Sequence, residues 1–142
     1  MKLFRRIAAL ALAVAVVAMF GISASAASFS EPINGDFGAF TQLECSITTS
    51  VARGVAYFID PEGNLEFENH TIEFEVTYYD SNINAIRSYS ESRTMENTAM
   101  SVEYLAGNGQ SLQIATFDYS ANYFANGNVP CHHFSGPRTL HS

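Results

Sequence analysis

The residues with the most evident chemical potential lie near the C-terminus, where Cys131, His132 and His133 are consecutive and His141 follows closely. Thiolates and imidazoles are ligands for zinc and copper. Adjacent side chains of an extended chain point to opposite sides, so Cys131 and His133 could share a metal ion while His132 would point away. The simpler interpretation is a disulfide-bonded cysteine beside exposed histidines. The sequence therefore offers His132, His133 and His141 as candidate metal ligands, and it predicts no cofactor.

Oxygen-bearing side chains recur at every second position from residue 60 to residue 68. Calcium takes about six to eight oxygen ligands, and a turn can bring several together. The run lacks the spacing of an EF-hand loop, in which glycine is the sixth residue. Carboxylates at alternate positions of a strand are typical of a solvated face, which is the interpretation favoured here.

Four glutamates could face one another across a pleat, as the two acids of a glycoside hydrolase do: Glu66, Glu68, Glu73 and Glu75. Glutamates on one face of a strand are also ordinary surface residues. A serine nucleophile would need a Gly-x-Ser-x-Gly turn, and the sequence has none. We therefore predict that the protein is not an enzyme and name no catalytic residue.

Tyrosine is the remaining residue type suited to recognition, since its ring is apolar and its hydroxyl is polar. All seven tyrosines lie in predicted strands, where most of them are expected to fill or flank a core. Tyr79 alternates with Thr77 and Glu75 on the predicted solvent face. It is therefore the candidate binding residue.

The two cysteines, Cys45 and Cys131, predict one disulfide if the protein is exported. Export is indicated by residues 1–26, which have a basic start, an apolar run from Ile7 to Ile22 and small residues at Ala24 and Ala26. Cleavage is expected after Ala26, with Ala27 as the alternative. The apolar run is shorter than the roughly 20 residues of a spanning helix, so an uncleaved anchor is the weaker alternative.

The charge of the expected mature chain excludes two classes of partner. Residues 27–142 hold four arginines, no lysine and all 14 acidic residues, a net charge of −10 with histidines neutral. Such a chain repels phosphate backbones and anionic lipid head groups. We expect no nucleic-acid partner and no membrane binding after signal cleavage.

Alternation of apolar and polar side chains predicts about six or seven strands between residues 41 and 125. The alternation changes phase near Asn69, which predicts a β-bulge or a short break there. The polar run 85–93 is predicted at a sheet edge. Residues 27–40 are interpreted as a lead-in segment, and residues 126–142 as an irregular segment tied back by the disulfide.

These patterns predict an all-β fold, a small antiparallel β-sandwich of immunoglobulin-like general shape, with a small closed barrel of strands as the alternative. The leading functional hypothesis is a secreted or cell-surface binding domain whose partner is an extracellular protein or glycan. The alternatives are a secreted effector, bacteriocin-like or toxin-like, and a small metal-handling protein.

Overall fold

The computed structural model describes residues 26–142, and within this range the chain is all-β, with two antiparallel sheets. The predicted signal peptide, residues 1–26, lies outside the described residues apart from Ala26. Between residues 26 and 142, none of the helical structure has the length and apolar character that a membrane crossing requires. The strands are β1 (Ala27–Asn34), β2 (Phe40–Ile47), β3 (Val51–Ile59), β4 (Leu65–Asp80), β5 (Ala85–Met95), β6 (Ala99–Leu105), β7 (Gln110–Ala125), β8 (Val129–Phe134) and β9 (Arg138–His141).

One sheet has four strands in the order β1-β2-β3-β6, and the other has five. The five-stranded sheet runs β5-β4-β7-β8, with β9 also pairing with β7. Because β8 pairs with residues 120–125 of β7 and β9 with residues 114–117, the chain leaves the sheet between them, opposite Asp118.

The predicted strands correspond to β2 through β7, and the prediction of a polar edge strand is confirmed by β5. The lead-in and C-terminal segments differ from prediction, since they contain β1, β8 and β9. In β1 the inward positions include Glu31 beside Phe29 and Ile33, and in β8 they include His133, so polar residues interrupt the apolar alternation. Both strands depend on pairing with distant parts of the chain, which a local pattern cannot reveal.

The predicted change of phase near Asn69 is confirmed by a register shift between Phe67 and Asn69 in the pairing of β4 with β7. A second shift, between Thr77 and Tyr78, was not predicted. It places one extra residue in β7, so that Leu112 and Phe117 are both buried although their positions have opposite parity. Each bulge therefore changes which side chains of a long strand reach the core.

The core lies between the two sheets and draws apolar side chains from both. Phe117 is fully buried and stacks on Phe74 with ring centroids 5.0 Å apart. Its ring faces Gly54 of the opposite sheet, where an added β-carbon would lie 2.7 Å from a ring atom. Small residues at Ala52, Gly54 and Ala56 on the inner side of β3 thus make room for the aromatic rings of β7.

Two arginines form contacts between the edges of the two sheets. On one side, Nη1 of Arg93 in β5 donates to the carbonyl of Ser101 in β6 (2.9 Å). On the other, Nε of Arg138 in β9 donates to Glu31 of β1 (2.6 Å). Both contacts are partly exposed, so we ascribe to them alignment of the sheet edges rather than much stability.

Candidate functional site

The candidate metal ligands do not converge in the structure. His133 points into the core, His132 of the same strand points to solvent, and His141 is exposed in β9. His133 pairs with Ala121 and His141 with Ile114, seven residues apart along β7. Among the described residues, no group of three or more cysteine, histidine or acidic side chains could hold a metal ion.

The predicted disulfide is wrong: Cys45 and Cys131 are both free and buried. Cys45 pairs with Gly54, which faces Phe117, whereas Cys131 pairs with Tyr123, six residues farther along β7. At roughly 3.3 Å per residue, the two cysteines are therefore separated by about 20 Å along the direction of β7. A disulfide needs α-carbons within about 7 Å.

We expect the native protein to show two thiols that do not react. Burial raises the pKa of Cys45, which removes the reactive thiolate at neutral pH. Addition of a thiol reagent should release no signal until denaturant is added, and then two equivalents per chain. A single linked pair after denaturation without reductant would contradict the structure.

The acidic turn and Tyr79 serve local structure. The carboxylate of Asp60 accepts hydrogen bonds from the backbone of Glu62 (3.2 Å) and Leu65 (2.9 Å), and so closes the turn between β3 and β4. Tyr79 is half-buried, and its hydroxyl donates to Oδ1 of Asn84 in the β4–β5 turn (2.6 Å). Neither feature forms a site by itself.

Four buried polar side chains, which no local sequence pattern indicates, form a hydrogen-bonded chain that connects the two sheets. Nε2 of His133 is 2.9 Å from the hydroxyl of Thr41, which is 2.8 Å from the hydroxyl of Tyr119. Tyr119 in turn is 3.1 Å from Nδ1 of His70. A neutral imidazole has one donor and one acceptor nitrogen, which suits it to such a chain. Nδ1 of His133 and Nε2 of His70, at the two ends, make no hydrogen bond.

Burial lowers the pKa of both histidines to about 4, because the core disfavours the imidazolium ion. The carboxylate of Asp36 offsets part of this effect at His133. Burial also raises the pKa of Tyr119. His70 and Tyr119 are almost inaccessible to solvent, so a substrate could not contact them in this conformation.

The accessible candidate is the side of the five-stranded sheet that faces away from the core, called here the outer face. A shallow cleft of about 420 Å³ crosses it, with Glu73, Glu75 and Asp118 along the cleft and Pro137 on one side. A second hollow of about 210 Å³ adjoins it beside Phe134. Phe134, the last residue of β8, is 67% exposed. Hydroxyl groups complete the linings: Thr71, Ser90, Ser92, Thr116 and Ser120.

Next to Phe134, amide and imidazole groups form a row across three strands. Nδ1 of His132 donates to Oδ1 of Asn122 (2.7 Å), whose amide nitrogen donates to Oδ1 of Asn69 (2.9 Å). The rings of His132 and Phe134 lie 5.9 Å apart. The row fixes the orientation of these groups on the outer face, so part of a hydrogen-bonding surface is already ordered.

The charged side chains on the outer face are negative. Glu73 and Asp118 are directly opposite in register, which brings their β-carbons to roughly 5 Å. Residues directly opposite each other in two paired strands point to the same side of the sheet. Each arginine of this sheet is opposite a residue on the inward side, so none lies on the outer face: Arg87 is opposite Tyr78, Arg93 opposite Ile72 and Arg138 opposite Phe117. The outer face of the described sheet thus has carboxylates without a lysine or arginine beside them.

Comparisons with protein-family models, with curated proteins and with solved structures found no match to this chain.

Proposed function

We propose that residues 27–142 form an exported, non-enzymatic binding domain, a β-sandwich of immunoglobulin-like general shape, which binds an extracellular glycan on its outer face. The observation that carries this proposal is the exposed ring of Phe134 beside a cleft lined by hydroxyls and carboxylates. Sugar rings present an apolar C–H face and a periphery of hydroxyl groups. An aromatic ring complements the first, and carboxylate or hydroxyl acceptors complement the second.

The glycan is expected to be neutral rather than acidic. Glu73, Glu75 and Asp118 would repel a uronic or sialic acid, and no arginine or lysine of this sheet is placed on the outer face to offset that repulsion. The hydroxyl groups of a neutral sugar instead donate hydrogen bonds to the carboxylates. Charge-assisted hydrogen bonds of this kind are stronger than neutral ones.

The test is binding of the secreted protein to an array of neutral, amino and acidic oligosaccharides, with affinities of the bound ones measured by calorimetry. Phe134→Ala should weaken binding by about tenfold or more, corresponding to ~1.4 kcal/mol of lost stacking and contact. Asp118→Asn should also weaken it, because a charged acceptor becomes a neutral one.

Matched controls are Phe37→Ala, which removes another exposed phenylalanine ring (55% against 67% for Phe134) away from the outer face, and Glu103→Gln on the four-stranded sheet. Both should bind as the wild type does. Absence of binding to every neutral glycan, or equal losses in the control variants, would contradict the proposal. Cleavage of a bound oligosaccharide would make Glu73 and Asp118 the acids of a hydrolase. Binding of basic peptides alone would indicate a protein partner.

A further inference from the structure

The connection between β1 and β2, residues 35–39 and called here the flap, closes over one end of the buried polar chain. The amide of Gly35 donates to the carbonyl of Ala39 (2.9 Å), which closes the flap on itself. The hydroxyl of Tyr123 in β7 donates to the carbonyl of Asp36 (3.1 Å), which ties the flap to the five-stranded sheet. The flap therefore bridges the ends of the two sheets.

Gly35 lies directly against His133. A β-carbon added to Gly35 would overlap Nδ1 of His133 and would lie 2.5 Å from the hydroxyl of Tyr123. This contact explains why Nδ1 has no hydrogen-bond partner. While the flap is closed, a proton added to this nitrogen finds no acceptor.

The flap is also strained. Phe37 has φ 56° and ψ 31°, in the left-handed region that a bulky side chain rarely adopts, and its ring is 55% exposed. A left-handed conformation costs about 1–2 kcal/mol in a non-glycine residue. Contacts of Gly35 and Asp36 with β7 and β8 must hold this conformation, and loss of those contacts would release the strain.

We propose that the flap is an acid-released cover, held closed by the neutral form of His133. Both ring nitrogens of the imidazolium carry a proton, so protonation of His133 places a positive charge and an N–H without an acceptor against Gly35. Movement of the flap admits water to the imidazolium and relieves the strain at Phe37. It also uncovers the aromatic cluster around His133, formed by Phe58 and Tyr123 with Phe67 beside them.

The groups that face His133 set the direction of this response. Asp36, on the flap itself, favours the imidazolium, and His132 of β8 disfavours it. Thr41 of β2 and Tyr119 and Tyr123 of β7 contribute neutral hydroxyls and rings. His70 of β4 titrates at the far end of the polar chain. Burial outweighs Asp36, so acid favours the open form, in which His133 is hydrated.

Hydrogen exchange of the flap amides, corrected for the intrinsic rate at each pH, tests the proposal. The pKa of His133 is about 4 when the flap is closed, against about 6.5 for a hydrated histidine. Linkage then predicts a fall in flap protection of up to about 30-fold between pH 8 and pH 5. Protection in the middle of β7 should fall less, because the flap opens before the sheets separate.

His133→Gln should abolish the acid response, since glutamine can keep a hydrogen bond to Thr41 and does not titrate in this range. His132→Gln, its exposed neighbour in sequence, should leave the response intact. Gly35→Ala should open the flap already at pH 8. Equal flap protection at pH 8 and pH 5 in the wild type would overturn the proposal whether or not the variants fold, and so would an acid response that survives in a folded His133→Gln protein.

Discussion

Replacement of Phe117 by alanine is expected to destabilise the domain by about 3–5 kcal/mol, which is close to the whole stability of many small domains. The ring is fully buried, stacks on Phe74 and fills the space that Gly54 leaves in the opposite sheet. Removing it leaves a cavity between two sheets whose backbones are fixed by their ladders. The free energy of unfolding in urea measures the effect.

The matched control is Phe134→Ala, the same change on the outer face, where the ring is 67% exposed. It should alter stability by less than about 0.5 kcal/mol, since little apolar surface is uncovered. Equal destabilisation by the two substitutions would mean that the inward and outward sides of the five-stranded sheet are assigned wrongly. The same control also establishes that any loss of glycan binding in Phe134→Ala does not come from unfolding.

Acidification is expected to have the second large effect, a loss of global stability between about pH 6.5 and pH 4. The pKa of His70 and of His133 is about 4 in the folded protein, below the ordinary value of about 6.5. As the pH falls, the unfolded chain therefore takes up protons before the folded one does. The free energy of unfolding is therefore highest above the unfolded-state pKa of about 6.5, and it falls as the pH approaches the folded-state pKa of about 4.

Each histidine can contribute up to about 3 kcal/mol to this loss, from a shift of roughly 2.5 pH units. Glu44 acts in the opposite sense, because burial raises the pKa of its carboxyl group and acid relieves the cost of burying the charge. Unfolding free energies at several pH values, in the wild type and in a His70→Gln, His133→Gln double variant, separate the two contributions. The double variant should lose most of the acid dependence between pH 6.5 and pH 4.

Substitution of the two exposed histidines is the control for this experiment. If His132→Gln with His141→Gln removes the acid dependence, that dependence does not originate in the buried chain and its assignment to His70 and His133 is wrong. This measurement is separate from the exchange experiment on the flap, since it reports unfolding of the whole domain rather than opening of one connection.

Period-two alternation was enough to predict β2 through β7, the edge position of β5 and the bulge near Asn69. These features depend on which side chains a single strand buries, and a strand records that in its own sequence. The strands β1, β8 and β9 could not be predicted in this way. The inward positions of β1 and β8 include Glu31, which is paired with Arg138, and His133, which is bonded to Thr41, so distant partners make those polar side chains acceptable inside.

The candidate sites depended still more on tertiary structure. Sequence proximity grouped Cys131, His132 and His133, but strand geometry sends His132 to solvent and buries the other two. The cysteines predicted a disulfide, and only the register of β2 and β8 against their neighbours separates them. Glu73 was identified, but its partner across the cleft, Asp118, comes from a strand 45 positions away.

The sequence by itself thus determined the all-β class, the strands whose burial alternates, and the acidic character of residues 27–142, because composition and local periodicity are properties of each segment. Only the tertiary structure decided the pairing of the sheets, the buried chain from His70 to His133 and the cleft beside Phe134. Each of these joins residues tens of positions apart, and their proximity follows from register and packing rather than from any local pattern.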